Sequence, residues 1–259
     1  MKMDTLLLTL LATLFTFSLT TIGASIVFIF KKVNKNILDI MLSLSSGIMI
    51  AASFFSLISP AIALASSLNL NVAFVLTIGF ILGGIFLYIT GTLFDKVLRN
   101  KSDKLSLKRC IMLFLSITIH NIPEGMVIGV AFASAALGLD NATVSGATIL
   151  ALGIGIQNFP EGCAVSLPLR REGMKRSKAF LFGSISGAIE IFAGLLGVIL
   201  VFWIQVLLPY LLAFASGAMI YVVVQDLIPE AQTNKNKDLM ALFTMIGFAI
   251  MMVLDISLG

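Results

Sequence analysis

The chain has little charge, one histidine and two cysteines, and each scarcity excludes something. Only 12% of its 259 residues are Asp, Glu, Lys or Arg, where a soluble domain carries about 25%. With 59% hydrophobic residues and a mean hydropathy of +1.08, too few polar groups remain to cover a soluble fold. A soluble enzyme, a nucleic-acid binder and a disordered tail are excluded. Cys110 and Cys163 do not make a disulfide framework. One histidine cannot supply the HExxH pattern of a zinc protease. What is there instead is a series of long apolar runs.

Stretches long enough to cross a bilayer core are predicted at 5–30, 37–58, 72–94, 111–139, 143–169, 180–203, 207–227 and 239–257. They describe an all-α integral membrane protein of eight transmembrane helices, a single domain over 1–259. The first stretch lacks a small-residue cleavage site after its apolar run and is expected to be a retained span rather than a signal peptide. The basic residues set the orientation. Lys31, Lys32 and Lys35 follow the first stretch, and Lys96, Arg99, Lys101, Lys104, Lys108 and Arg109 the third. Arg170, Arg171, Lys175, Arg176 and Lys178 follow the fifth, and Lys235 and Lys237 the seventh. The alternate connections, around 66–71, 140–141 and 205–209, carry none. Basic residues stay on the cytoplasmic side, so both termini are expected outside. The pI near 9.1 is accounted for by topology, with no nucleic-acid partner. The connection around 95–109 has no histidine and is given no metal-sensing role.

Ionisable side chains at membrane depth mark a site or a pathway by default. Glu124, Glu161, Glu190, Asp226, Glu230 and Asp255 lie within or at the ends of the predicted spans, as does His120, and no span has a central Lys or Arg. Such acids need protons or bound cations to neutralise them. An internal repeat sharpens this. His120-Asn121-Ile122-Pro123-Glu124-Gly125 and Gln157-Asn158-Phe159-Pro160-Glu161-Gly162 both fit [HQ]-N-x-P-E-G, 37 residues apart. Successive spans run antiparallel, so the copies enter from opposite sides and meet near the midplane, as in inverted-repeat transporters. His120 with Glu124, and Gln157 with Glu161, are four apart and share a helical face. Asn121 and Asn158 broaden that face. Pro123 and Pro160 free the carbonyls of Ile119 and Ile156, and Gly125 and Gly162 admit a neighbouring helix or an ion. Imidazole with carboxylates and amides suits zinc, iron, manganese or cadmium.

At these residues the chain resembles the ZIP (Zrt-/Irt-like) family of divalent metal transporters, in its GufA-like prokaryotic branch, over essentially its whole length. The resemblance implies a 3+2+3 inverted-repeat arrangement and a binuclear metal site between helices 4 and 5. It also implies metal movement toward the cytoplasm by an elevator-like slide of helices 1, 4, 5 and 6 against 2, 3, 7 and 8. The implied ligands are His120, Asn121, Glu124, Gln157, Asn158 and Glu161, with Glu190 as an additional ligand and Met49 lining the entrance side. Many members have histidine where this chain has Gln157, and some have aspartate at Asn158.

The expected function is transport of divalent metal, zinc first and then cadmium, iron(II) or manganese, by a multi-pass protein of the cell inner membrane. It involves no covalent chemistry. The alternatives are a metal-selective channel and a non-transporting sensor. Met49, Ala52, Ser53 and Ser56 share a face suited to sliding. Asp226 is balanced between an exit site and solvation, Asp255 between entrance attraction and interfacial exposure. Glu230 is expected to be solvated and Cys163 to serve packing. Gly79, Gly83, Gly84 and Gly91 offer a homodimer face or packing within one chain.

Overall fold

The computed structural model describes residues 3–29, 34–98, 105–138, 142–201 and 205–258, which contain helices, turns and no strand. Eight helical rods lie in the described residues: α1 (Met3–Ile29), α2 (Lys35–Ser67), α3 (Val72–Leu98), α4 (Leu105–Leu137), α5 (Val144–Arg171), α6 (Arg176–Val201), α7 (Leu208–Ala231) and α8 (Lys237–Leu258). Six of them, all but α4 and α5, are long and apolar enough to cross a membrane. With 33 and 28 residues, α4 and α5 have the length, and they carry the two polar motifs. Both run as continuous helix through Pro123 and Pro160.

Local chemistry sets the ends. Thr143 caps α5 by accepting from the Gly146 amide at 3.0 Å, and Asn34 caps α2 by accepting from Asn36 at 2.9 Å, each satisfying an amide that the helix leaves orphaned. Within the helices, serine hydroxyls bond back to the carbonyl four residues earlier: Ser43 to Asp39, Ser46 to Leu42 and Ser53 to Met49, at 2.7–2.8 Å. Apolar surroundings offer them no water, so the backbone is their partner.

The prediction that the second helix stops near residue 58 is corrected. A π-helical turn, Ser53–Ile58, leads through Pro60 into a further α-helical stretch ending at Ser67. In the turn the Ser59 amide donates to Phe54, five residues back, which widens the helix immediately before the pyrrolidine ring that would otherwise clash with the preceding turn. The same device recurs in α7. Its π-helical turn is Val223–Leu227, and Ile228 donates to Val223 just before Pro229. In both helices the turn begins four residues after the methionine of a Ser-Gly-x-Met-Ile segment, Ser46–Ile50 and Ser216–Ile220.

Helix packing falls into two groups. In one, α1 packs on α5 and α6, and α4 packs on α6 and α5. In the other, α3 packs on α7 and α2 on α8. The groups meet chiefly where α2 lies on α5 and α4 on α7. Glycines bring paired backbones together, and their arrangement repeats. A Cβ on Gly47 would strike the Thr244 carbonyl and one on Gly247 the Leu44 carbonyl. Between α3 and α7, Gly83 meets Phe214 and Gly217 meets Phe80. Gly79 and Gly83 therefore pack α3 on α7 within one chain, while Gly84 faces open space. The outward faces of α1, α3 and α8 are apolar and exposed, with Leu11, Phe74, Ile81, Tyr88, Met245 and Val253 each more than half exposed. So much contiguous apolar surface needs lipid to cover it.

Candidate metal centre

The two motif copies face each other across α4 and α5. Asn121, Glu124, Gln157, Asn158 and Glu161 are all buried, as is Glu190 on α6. The sequence placed them in apolar spans, and the structure buries their polar ends as well. His120 belongs to α4, and its side chain lies outside the described residues.

Hydrogen bonds stitch the site together. Gln157 Nε2 donates to Glu124 Oε1, joining α5 to α4. Asn158 Nδ2 donates to Glu190 Oε1 at 2.7 Å, joining α5 to α6. Asn121 Nδ2 donates to the Ser186 carbonyl at 2.9 Å, joining α4 to α6. Thr16 Oγ1 donates to Glu190 Oε2 at 2.5 Å and brings in α1. Glu161 lies near enough to Glu190 for their charges to interact. The site is thus held within the α1, α4, α5 and α6 group.

Each motif amide spends its N–H on the protein and keeps its oxygen in reserve. Asn121 Oδ1, Gln157 Oε1 and Asn158 Oδ1 are buried and accept no hydrogen bond among the described residues. Buried polar atoms are almost always satisfied, so these three acceptors on two short motifs, beside buried carboxylates, need a partner that the described residues do not supply. A cation meets that need, because it binds oxygen lone pairs without requiring hydrogen-bond geometry. Among the described residues no three His, Cys, Asp or Glu side chains form a metal cluster by themselves. The buried polar groups gathered here are carboxylates interleaved with amides.

Gly125 and Gly162 admit helices. A Cβ on Gly125 would strike the backbone of Glu190, and one on Gly162 the backbone around Thr20. Each motif glycine therefore lets α6 or α1 press against the motif. Met49 is fully buried, and its sulfur accepts from Ser45 Oγ at 3.9 Å. It lies on α2, which packs on α5, and among the described residues it takes no part in the hydrogen bonds that join the motif residues.

The weaker candidates separate. Ser56 Oγ donates to Asp255 Oδ1 at 2.7 Å, tying the α2 π-helical turn to α8, and Asp255 Oδ2 is buried with no hydrogen-bond partner among the described residues. Asp226 sits half-buried in the α7 π-helical turn. Glu230 pairs with Arg171 at 3.4 Å, each about a third exposed, so it is an ion-pair partner as well as a solvated one. Cys163 is buried and donates to the Gly23 carbonyl at 3.2 Å, in keeping with packing. The Cys110 side chain lies outside the described residues.

Two groups escaped the sequence reading. Asp39 is fully buried and accepts from Asn234 Nδ2 at 2.7 Å, which holds the α7–α8 connection against α2. Nothing near it in sequence announces burial. Thr16 belongs to a stripe of buried threonines on α1, Thr5, Thr9, Thr13, Thr16 and Thr20, whose spacing of three and four was a readable signal of a packed face.

Comparison with known proteins identifies the family. A sequence model described as ZIP Zinc transporter matches residues 97–255, the stretch holding both motifs and Glu190. The chain is 38% identical to zinc transporter ZIP11 of Xenopus tropicalis, over 96% of this chain and 97% of that protein. It is 33% identical to zinc transporter GufA of Myxococcus xanthus, over 96% and 98%, and 33% identical to zinc transporter ZIPB of Bordetella bronchiseptica, over 94% and 79%. The duplicated motif, the buried carboxylates and amides that surround it and these matches lead to one conclusion: the chain belongs to the ZIP zinc transporter family.

Proposed function

We propose that this protein is a membrane carrier that moves zinc into the cytoplasm through a site between α4 and α5. The observation that carries this is the set of three buried motif amides, beside Glu124, Glu161 and Glu190, whose oxygens have no donor among the described residues. In this reading Glu124 and Glu161 bridge two adjacent metal positions. His120, Asn121, Gln157, Asn158, Glu190 and Met49 supply the remaining donors. Cadmium, iron(II) and manganese are the other candidate cargoes, since the same donors suit borderline divalent ions. The relatives' description as zinc transporters favours zinc.

The mechanism follows from how the helices are tied. Motif hydrogen bonds link α1, α4, α5 and α6 into one body, while α2 pairs with α8 and α3 with α7. All the proposed donors but Met49, which lies on α2, belong to that body and can move with it, so an elevator-like slide of that body against the rest carries the ion with those donors and leaves Met49 behind. The repeated π-helical turns and the matched glycine pairs support a 3+2+3 inverted repeat, in which α1, α2 and α3 correspond to α6, α7 and α8. All eight helices span the bilayer of the cell inner membrane, with both termini outside and the basic connections in the cytoplasm.

The test is flux of zinc, cadmium, iron(II) and manganese into proteoliposomes, with Glu161→Ala as the comparison. Saturable zinc uptake lost in the variant is the expected result. Uptake that does not saturate would replace the carrier by a channel, and metal binding without uptake would replace it by a sensor.

A further inference from the structure

We propose that Thr16 is a positioning residue for the transport site, holding the Glu190 carboxylate in the orientation that receives the ion. This rests on the reading of Glu190 as a ligand of the transported metal.

Glu190 is fully buried and clamped at both oxygens from two different helices. Asn158 on α5 donates to Oε1 at 2.7 Å, and Thr16 on α1 donates to Oε2 at 2.5 Å. Two donors on two oxygens fix the carboxylate plane and leave its remaining lone pairs for a cation. Thr16 is suited to that task by its second acceptor, the Thr13 carbonyl at 3.0 Å. A hydroxyl has one hydrogen to donate, so it serves one acceptor at a time. The shorter of its two contacts is the one to Glu190. When the ion takes up Oε2, the hydroxyl turns back to Thr13 and remains satisfied. Glu190 is thereby steered without being held against the metal, which a donor with no alternative acceptor would do. The neighbouring threonines differ: Thr13 donates to the Thr9 or the Leu10 carbonyl and Thr20 to the Thr16 carbonyl, all within α1.

The test is the zinc concentration dependence of uptake by proteoliposomes holding wild type, Thr16→Val, Thr16→Ser, Glu190→Ala, the double variant Thr16→Val/Glu190→Ala, and Glu161→Ala. Groups that orient metal ligands affect metal affinity by roughly 10–100-fold. Thr16→Val is therefore expected to raise KM about tenfold with the maximal rate little changed, and Thr16→Ser to restore the wild-type KM. In the Glu190→Ala background the valine substitution should add nothing, because its effect passes through the carboxylate. Wild-type KM in Thr16→Val overturns the proposal. So does the same rise with and without Glu190, which would make Thr16 a packing residue only. If Glu161→Ala transports like wild type, the transport-site reading itself falls. If Glu161→Ala is inactive and Thr16→Val is normal, only the role of Thr16 falls.

Discussion

Gln157, the first residue of the second motif copy, donates its side-chain amide to Glu124, the carboxylate of the first copy. The bond joins the two helices that carry the repeat. It also occupies one oxygen of Glu124 while the amide's own oxygen stays without a donor among the described residues. Gln157→Leu removes both the donor to Glu124 and the reserved acceptor. The expected outcome is a rise in zinc KM of roughly tenfold or more, measured by uptake into proteoliposomes. Gln157→His keeps an N–H donor and offers a nitrogen ligand, so its KM should match or fall below wild type. An unchanged KM in the leucine variant would count against Gln157 as part of the site.

The glycine contacts predict a contrast within one residue type. In Gly162→Ala the new methyl group meets the α1 backbone at Thr20, which is not the movable end of a flexible side chain. Overpacking of this kind costs about 1–3 kcal/mol, visible as a lower thermal midpoint of the detergent-solubilised protein. Gly84→Ala places its methyl group in open space and should leave the midpoint unchanged. Equal midpoints for the two variants would contradict the close packing of α1 on α5.

Asp39 depends on Asn234. The carboxylate is fully buried, and Asn234 Nδ2 reaches both Asp39 Oδ2 at 2.7 Å and Asn36 Oδ1 at 3.1 Å. Asn234→Leu strips away that donor and is expected to destabilise by about 1–3 kcal/mol, the usual cost of leaving a buried acceptor unsatisfied. Combining it with Asp39→Leu should recover part of the loss, since the stranded carboxylate goes too. Thermal unfolding of the single and double variants in detergent measures both effects.

Zinc uptake should depend on pH with a definite sign. Carboxylates and imidazole bind metal in their unprotonated forms, so acidification sets protons against zinc for the same atoms. Apparent zinc affinity is expected to fall, and KM to rise, as the pH on the uptake side is lowered. Uptake titrations at several pH values with no pH gradient across the membrane check this. A KM that stays constant or falls on acidification would remove the buried carboxylates from the binding step.

Much of the candidate site was legible because its grammar is local. His120 to Glu124 and Gln157 to Glu161 are one helical turn apart, so a shared face follows from helix geometry alone. Gly125 and Gly162 were readable as points of close approach, and the structure identifies the visitors as α6 and α1. The reach of α2 beyond residue 58 was not readable. Ser59-Pro60 looks like a helix end until a π-helical turn makes room for the ring, and that turn is a property of the folded backbone. Gly79 and Gly83 were open to two uses, and only the position of α7 assigns them to packing within one chain.

By itself the sequence determined that the chain needs a bilayer, that its spans contain acids but no central Lys or Arg, and that the [HQ]-N-x-P-E-G pattern recurs 37 residues apart. These follow from composition and from short spacings, which hold whatever the helices later touch. Tertiary structure decided which partner each buried polar group meets: Thr16 with Glu190, Asn234 with Asp39, Ser56 with Asp255, separated by 174, 195 and 199 residues. The order and register of the packed helices choose those pairs. Burial makes the choice matter, because a polar group shut away from water must find its hydrogen bond or its ion inside the fold.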